Sequence, residues 1–269
     1  HTAMEPVYEI RAVRYAHLYR TASHNFIGGD EHDGPMPLDY YVWTITGNGV
    51  CMLLDTGFDA ATGSARGRQL VQPVEEGLRE VGIDPAAVTD IIVSHMHYDH
   101  AGNHWLFPRA RYHLQTEEMA HCTGSAMCHA AIRATYEAAD VQAMIGKLFT
   151  GRVVCHDGTA QIAPGISVHR VGGHTRGLQV VRVHTRRGWV VLAADAAHFY
   201  ANWRQRRPFP IVDSVPDYLD AFGIIESLAS SPQHVIPGHD PLVLASYPPA
   251  APGLANAVRV DLPPLRPVP

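Results

Sequence analysis

Four side chains that can bind metal ions fall within six consecutive positions of the N-terminal half. They are His95, His97, Asp99 and His100. Imidazole and carboxylate groups together suit zinc and similar borderline metals. One ion cannot easily use all four groups of so short a segment, so the spacing favours two metal ions side by side. The chain holds 18 histidines, and the close grouping of these four residues is therefore more informative than any single histidine.

Three later turns each carry one more side chain of a metal-ligand type beside small residues. They are Gly172-Gly173-His174, Ala193-Ala194-Asp195 and Pro237-Gly238-His239. Taken singly, His174 could be a turn histidine, Asp195 a helix N-cap and His239 a surface residue. Small neighbours let the backbone approach a crowded site, and together with the first segment the three complete a ligand set for two ions.

Each of these four segments directly follows an apolar run that predicts a β-strand. Residues 90–93, for example, are rich in β-branched apolar side chains and end just before the first histidines. In α/β folds, chemistry is usually placed at the carboxyl ends of strands. The sequence therefore predicts that one edge of the fold collects all of the ligands.

Composition limits the classes of protein to which the chain can belong. It has 269 residues, 46% of them hydrophobic and 17% charged, which is ordinary for a globular domain with a large core. A net charge of -5 gives no electrostatic case for binding nucleic acid or an anionic membrane. No apolar run reaches the roughly 18–20 residues that a membrane span needs.

The cysteines and the first residues suggest a cytoplasmic protein. Cys51, Cys122, Cys128 and Cys155 have no C-x-x-C spacing, which favours reduced thiols. We expect no signal peptide, and we interpret residues 1–3, before Met4, as a tag remnant. The pairs His121-Cys122 and Cys128-His129 match no zinc-finger spacing, so we interpret them as ordinary residues.

Apolar periodicity predicts the order of the elements. Strands are expected at 8–15, 40–46, 50–54, 90–93, 110–114, 152–156, 166–171, 178–184, 189–193 and 234–236. Helices are expected at 66–81, where Pro73 would either kink the helix or mark its true start, at 103–107 and at 215–230, and a long loop is expected at 20–39. The pair Asn48-Gly49 predicts a hairpin.

The pattern favours a single α/β domain at 4–247 with a helical insert at 117–149 and an extended proline-rich tail at 248–269. Two β-rich halves each end in a helix and a strand. The most economical architecture is two sheets packed face to face with helices outside, a four-layer αββα sandwich.

The histidine-rich segment resembles the H-x-H-x-D-H motif of the metallo-β-lactamase-fold hydrolases. Asp55-Thr56-Gly57 is similar to a turn of that family, and the three later turns follow in the family's order. The resemblance implies these ligands: His95, His97 and His174 for one ion, Asp99, His100 and His239 for the second, and Asp195 as the bridge. It also implies two Zn²⁺ ions per chain, although Mn²⁺, Co²⁺ or Fe²⁺ suit the same ligand types.

Within this superfamily the chain looks most like the quorum-quenching N-acyl-homoserine lactonase group. That group commonly carries a tyrosine three residues after the bridging aspartate, where this chain has His198, with Tyr200 two residues further on. The resemblance implies hydrolysis of a lactone or related carboxylic ester by a metal-bridging hydroxide. His198 or Tyr200 would hold the oxyanion, and Asp99 would help proton transfer.

Several alternatives remain open from the sequence. The same fold could hydrolyse a thioester, a phosphoester or a β-lactam, or the chain could be a metal-binding sensor without activity. The partner is expected to be a small molecule, and a homodimer is plausible. Candidate substrate-contacting residues are Phe26, Ile27, Met36, Phe199, Tyr200 and Trp203. Arg204, Arg206 and Arg207 could bind an anionic group, but a solvated basic face is the preferred interpretation.

Overall fold

Two β-sheets form the centre of the structure, a computed structural model that describes residues 4–269. The expected tag remnant at 1–3 lies outside the described residues. The strands are β1 Glu9–Leu18, β2 Leu38–Gly47, β3 Val50–Leu54, β4 Gln69–Leu70, β5 Asp90–Ile92, β6 Arg111–Gln115, β7 Val153–His156, β8 Ala160–Ala163, β9 Ile166–Arg170, β10 Gln179–Thr185, β11 Gly188–Leu192, β12 Val235–Ile236 and β13 Ala257–Arg259.

The first sheet has the order β13-β1-β2-β3-β5-β6-β7, with β4 paired to β1. The pairs β3–β5, β5–β6 and β6–β7 are parallel, and the other pairs are antiparallel. The second sheet has the order β12-β11-β10-β9-β8, and only β11 and β12 are parallel.

Within residues 4–269, eight α-helices surround the sheets. They are α1 Ala60–Ala65, α2 Val74–Glu80, α3 Thr116–Cys122, α4 Ala130–Arg133, α5 Ala138–Phe149, α6 Tyr200–Arg204, α7 Val215–Leu228 and α8 Pro241–Ser246. Helix α2 packs against β1, α5 against β7 and α7 against β11. The predicted α/β sandwich is confirmed. Among residues 4–269, no helix combines the length and the apolar character that crossing a bilayer would require.

One continuous apolar core joins the two sheets, with residues such as Val42 and Leu53 from the first and Val181 and Val191 from the second. A polar link lies at the edge of this core. The Gln179 amide, which is fully buried, donates hydrogen bonds to main-chain oxygens of Val93 and His113 at 2.8 and 3.1 Å. This link fixes the start of β10 against the carboxyl end of β5, where the histidine-rich segment begins.

The predicted hairpin is confirmed, whereas one predicted helix begins only after Pro73 and the helix predicted at 103–107 is wrong. Asn48 and Gly49 have φ angles of 51° and 77° and connect β2 to β3. The helix expected at 66–81 is confined to α2, because Pro73 cannot continue a helix on its amino-terminal side. The segment 103–107 forms turns, starting from Asn103 with a φ of 54°.

The proline-rich segment 248–269 differs from the extended tail that its composition suggests. Its strand β13 pairs antiparallel with β1, with Val258 opposite Ala12. The Asp261 carboxylate accepts a hydrogen bond from the Ile10 amide at 3.0 Å. On the other side of β13, the Arg259 amide donates a hydrogen bond to the Pro248 main-chain oxygen at 2.8 Å, so the proline-rich segment itself covers this edge of the sheet.

The two solvent-exposed glycines Gly49 and Gly146 should respond in opposite ways to alanine. A Cβ atom added at either position would have open space around it to 4 Å, so the backbone alone decides the effect. Gly49→Ala should lower the free energy of unfolding by about 1 kcal/mol because φ is +77° there. Gly146→Ala, inside α5, should raise it by up to about 1 kcal/mol. Urea denaturation measures both, and a loss of stability in both variants would contradict these backbone assignments.

Candidate metal centre

Seven buried side chains form two adjacent groups that share one carboxylate. The first group is His95, His97, His174 and Asp195, and the second is Asp99, His100, Asp195 and His239. Within each group the candidate ligand atoms lie within 4.8 Å of one another. The structure thus brings together all seven side chains that the sequence singled out.

The carboxyl ends of four strands place these residues. The segment from His95 to His100 follows β5, and His174, Asp195 and His239 follow β9, β11 and β12 respectively. The turns that carry Asp195 and His239 touch through Gly238, where a Cβ atom would lie 2.4 Å from the Ala194 main-chain oxygen. Any larger residue at position 238 would therefore push these two turns apart.

Hydrogen bonds fix the orientation of two of the imidazoles. His174 Nδ1 lies 2.7 Å from the main-chain oxygen of Ile211, and His239 Nδ1 lies 2.8 Å from that of Asp39. A carbonyl oxygen only accepts hydrogen bonds, so each Nδ1 carries the proton. Each Nε2 therefore presents a lone pair to the cluster, as a metal ligand must.

His97 faces the cluster through its other nitrogen. Its Nδ1 lies 3.0 Å from His95 Nε2 and 3.1 Å from His174 Nε2. A single proton on Nδ1 cannot serve both neighbours, whereas one cation placed among the three nitrogens would satisfy them all. Burial lowers the pKa of His95 to about 3 and that of His97 well below its usual value, so both rings are neutral and able to ligate.

Asp195 supplies a second indication that the cluster fits cations. Its Oδ1 lies 2.8 Å from His239 Nε2, yet it is buried without a hydrogen-bond partner among the described residues. Its Oδ2 lies 3.1 to 3.4 Å from ring nitrogens of His95, His100 and His174. The donor set therefore fits two divalent cations bridged by Asp195.

Asp55 holds His100 in place from outside the cluster. Its Oδ2 lies 2.6 Å from His100 Nδ1 and accepts a hydrogen bond from the Ser94 hydroxyl at 2.9 Å. Its Oδ1 accepts one from the Ser94 amide at 2.7 Å. Such carboxylate–histidine pairs orient metal ligands and raise their basicity. The sequence identified the turn at Asp55 but not this role.

Three buried carboxylates, of Asp55, Asp99 and Asp195, share this region and require positive charge. Burial raises the pKa of Asp99, but the neighbouring His100 lowers it more, to about 2. Burial lowers the pKa of His100, but Asp195, Asp99 and Asp55 raise it well above its usual value. Protons on imidazoles balance the carboxylates when no metal is bound, and cations would replace those protons.

Glu118 of α3 braces two of the ligand segments. It is fully buried, and its Oε2 accepts hydrogen bonds from the Met96 amide at 2.9 Å and the Tyr136 hydroxyl at 3.3 Å. Its Oε1 accepts them from the Thr175 hydroxyl at 2.7 Å and the Gly177 amide at 3.1 Å. One carboxylate therefore ties the His95–His97 segment to the turn after His174. No sequence pattern marked it.

A cavity of about 110 Å³ opens over the cluster. The side chains around it that are not metal-ligand candidates are Arg20, Leu38, Tyr40, Arg66, Arg68, Tyr98, Thr135, His198, Phe209 and Ile211. Of the three residues that the sequence proposed for catalysis, Asp99 and His198 line this cavity. Tyr200 does not, because α6 begins at this residue and directs its ring into the core beside Trp203.

None of the six expected substrate-contacting residues lines the cavity. Phe199, Tyr200 and Trp203 are almost completely buried in or next to α6. Phe26 is buried beneath the Arg207 guanidinium, 4.0 Å from its ring centre. Ile27 is 42% exposed, and Met36 packs on the core. Their apolar character reflects packing of the core and the long loop rather than contact with the site.

His198 is held in a defined position and tautomer. Its ring stacks on Phe209 at 3.7 Å between ring centres. The Tyr218 hydroxyl donates to the Asp195 main-chain oxygen at 2.9 Å, so at 3.3 Å its oxygen can only accept from His198 Nδ1. Burial lowers the pKa of His198 to about 3. The neutral ring therefore presents an acceptor, Nε2, at 3.3 Å from Asp195 Oδ2.

The paired histidines and cysteines of the insert lie in different environments. His121 and Cys122 are buried, whereas Cys128 and His129 are exposed. Among the described residues, groups of three or more metal-ligating side chains occur only in the two clusters that share Asp195.

Comparison with known proteins gives a consistent result. The family model of the metallo-beta-lactamase superfamily matches residues 36–251. An N-acyl homoserine lactonase from Bacillus sp is 29% identical over 143 residues, which are 51% of this chain and 50% of that protein. One from Bacillus cereus is 28% identical over 161 residues, 56% and 57% of the two chains. The chain thus spans about half the length of the curated relatives it matches.

Solved structures with the same fold include three lactonases. A quorum-quenching N-acyl homoserine lactone lactonase superposes with a TM-score of 0.73 at 19% identity, over 89% of this chain and 95% of that one. An N-acyl homoserine lactone hydrolase with N-hexanoyl-L-homoserine at its catalytic metal centre gives 0.70 at 19%, over 90% and 96%. The dizinc lactonase AidC gives 0.66 at 15%, over 89% and 90%. At these identities the likeness shows the fold alone.

Glu118→Gln should destabilise the protein and weaken metal binding. An amide cannot accept at both ends, so its NH₂ group would face either the Met96 or the Gly177 N–H. We expect a loss of about 1–3 kcal/mol in the free energy of unfolding, measured by denaturant titration, and weaker metal retention against a chelator. Glu117→Gln, at the neighbouring half-buried position, is the control and should change neither. Unchanged stability in Glu118→Gln would refute the bracing role.

Proposed function

Because the chain belongs to the metallo-β-lactamase superfamily, we propose that it is a dinuclear metal-dependent hydrolase that opens a lactone or related carboxylic ester. The observation that carries the proposal is the pair of buried ligand groups that share Asp195 beneath an open cavity. The curated relatives named N-acyl homoserine lactonases support the choice of a lactone.

Each ligand has a proposed place. His95, His97 and His174 would hold one ion, Asp99, His100 and His239 the second, and Asp195 would bridge them. We propose Zn²⁺, because nitrogen-rich sites with carboxylates suit it, and Mn²⁺, Co²⁺ or Fe²⁺ suit the same ligand types. When bound, such ions polarise an ester carbonyl and lower the pKa of water.

The reaction adds water across the ester. The water oxygen bonds to the carbonyl carbon, the bond from that carbon to the ring oxygen breaks, and a proton from the water ends on the departing oxygen. Among the described residues that line the cavity, no serine or cysteine is present as a nucleophile. Water is therefore the proposed nucleophile, and the protein's own groups only have to orient it and move its proton.

His198 and Asp99 are the groups placed to handle that proton. Both line the cavity, and His198 Nε2 is an acceptor directed toward Asp195. We propose that His198 accepts a hydrogen bond from the attacking water, instead of donating to the oxyanion as the sequence suggested. Asp99 would carry the proton to the departing oxygen, since its carboxylate lies on the cavity wall.

Metal content and lactone hydrolysis together test the proposal. The metal-loaded protein should hold two ions per chain by elemental analysis and should hydrolyse members of a lactone panel faster than thioesters, phosphoesters or β-lactams. His97→Ala should abolish hydrolysis and reduce metal content. His129→Ala, which removes an exposed histidine of the insert, should leave both unchanged. Fewer than two ions per chain, or hydrolysis that survives His97→Ala, would refute the site assignment.

His198→Phe tests the proposed proton acceptor. Phenylalanine can keep the stack on Phe209 but removes both ring nitrogens. We expect kcat for lactone hydrolysis to fall by roughly a hundredfold or more while the metal content stays at the wild-type level. Steady-state kinetics and elemental analysis on the same preparation give both values. Unchanged kcat would show that His198 only packs beside the site.

A further inference from the structure

Two arginines lie at the mouth of the cavity over the metal cluster. Arg68 donates a hydrogen bond from Nε to the Tyr98 hydroxyl at 3.2 Å, and Tyr98 directly precedes the ligand Asp99. The Arg20 guanidinium lies 5.1 Å from the centre of the Phe209 ring, on which His198 stacks. Each guanidinium therefore contacts an aromatic side chain, Tyr98 or Phe209, that is next to a group of the reactive centre in the chain or in space.

Neither charge is neutralised by a carboxylate among residues 4–269. Arg20 uses Nε and Nη2 for the Asn25 side chain and the His24 main-chain oxygen. Arg68 uses Nε and Nη1 for Tyr98 and the Arg66 main-chain oxygen. The remaining partners of both guanidinium groups are neutral tyrosines, and no carboxylate in the described part of the chain contacts Nη1 of Arg20 or Nη2 of Arg68.

Arg66 also lines the cavity but has a structural role. Its Nε pairs with Glu137 at 2.8 Å, and its terminal nitrogens donate to main-chain oxygens of Ala134 and Tyr136. All three of its nitrogens are thus committed to the insert. The contrast leaves Arg20 and Arg68 as the free positive charges of the cavity.

The two free guanidinium groups are half-buried and near enough to repel each other. Burial lowers the pKa of Arg20, and the charge of Arg68 lowers it further. Two like charges held together in this way are stabilised by an anion between them, and arginine suits carboxylate and phosphate groups because its planar fork matches their oxygens.

Arg68 also stands where the small cavity meets two wider grooves. One groove, of about 670 Å³, is lined by Arg68 with residues of β1 and β4. The other, of about 610 Å³, is lined by Arg68 and Arg20 with Tyr19 and Pro35. Arg68 therefore lines the cavity over the metal cluster and both of the wider grooves.

We propose that Arg20 and Arg68 form an anion subsite that binds a carboxylate or phosphate group carried by the substrate. The inference rests on the proposed function and narrows it to lactones or esters with an acidic group away from the reacting carbonyl. The basic residues that the sequence suggested for this purpose are engaged elsewhere. Arg206 pairs with Glu226 at 3.1 Å and Arg207 with Asp30 at 3.1 Å.

Matched lactone pairs test the subsite in the wild-type, metal-loaded protein. N-succinyl and N-adipoyl homoserine lactones carry a terminal carboxylate, and the corresponding terminal amides have the same shape without charge. A phosphate-bearing acyl lactone and its free alcohol form the third pair. We expect kcat/KM to be roughly ten- to hundredfold higher for the charged member of at least one pair, mainly through a lower KM. Equal values, or preference for the neutral members throughout, would overturn the proposal.

Variants of the two arginines test whether Arg20 and Arg68 cause the preference for the charged lactones. Arg68→Gln and Arg20→Gln should each reduce the charged-to-neutral ratio of kcat/KM toward one, because each removes a charge that only the charged member of a pair can use. Arg79→Gln, which removes an exposed charge from α2, is the control and should keep the wild-type ratio. A ratio that persists in the Arg20→Gln Arg68→Gln double variant would refute the assignment. If a variant fails to fold, the comparison of charged and neutral lactones in the wild-type protein still tests the proposal.

Direct binding separates failure of this inference from failure of the proposed function. The ring-opened products of each pair are titrated calorimetrically into the metal-loaded protein. Both products of a pair carry the carboxylate formed by ring opening. Tighter binding of the product with the additional terminal carboxylate or phosphate in the wild type, lost in Arg68→Gln, supports the subsite even if no lactone is hydrolysed. Hydrolysis of both members with equal affinity supports the proposed function and refutes the subsite.

Discussion

The burial of three carboxylates beside five imidazoles is the constraint on which the rest of this structure depends. Asp55, Asp99 and Asp195 are almost inaccessible to water, and isolated buried charges are among the most costly groups in a protein. Asp195 also keeps an oxygen without a hydrogen-bond partner at 2.8 Å from His239. The negative charge of these carboxylates must be balanced by positive charge. Divalent cations among these atoms would balance it more completely than protons can.

The surrounding structure also determines where such cations would bind, because it holds the candidate ligand side chains in defined orientations. His174 and His239 are fixed by main-chain oxygens, which belong to the rigid framework and cannot rotate away. His100 is fixed by Asp55, at the end of β3, and Glu118 reaches from α3 to hold two ligand segments together. Each support comes from a different element, so the positions of the ligand atoms depend on the packing of both sheets and of the insert.

The sequence predicted the cluster well because the information is local. Each ligand directly follows a strand, and a strand's carboxyl end can be read from a short apolar run and the residues after it. The tautomer-fixing partners were not predictable in this way: Ile211 and Asp39 contribute only main-chain oxygens, which leave no trace in residue type. Asp55 lay in a recognised turn, but its pairing with His100 depends on the parallel registration of β3 and β5.

The walls of the cavity were predicted poorly for a related reason. Aromatic residues near Asp195 were expected to face the substrate, but Tyr200 and Trp203 lie on a short helix whose inner face completes the core. The apolar spacing over 66–81 predicts a helix that includes Arg68, unless Pro73 marks its true start. In the structure this segment turns and pairs with β1 through β4, and that turn brings Arg68 to the cavity. The lining of the cavity depends on tertiary contacts between distant segments, which the periodicity within one segment cannot reveal.

The result is a site with separated charge. Carboxylates lie at its floor, where they would hold cations, and uncompensated guanidinium groups lie at its mouth. Aromatic rings stand between them: Tyr98, which binds Arg68, directly precedes Asp99, and Phe209 contacts both Arg20 and His198. A neutral substrate would form no ionic contact with these guanidinium groups. An anionic substrate would be oriented with its charged end toward them and its carbonyl toward the carboxylates. Phe209, which stacks on His198 and contacts the Arg20 guanidinium, would therefore set the distance between the proposed anion subsite and the metal cluster.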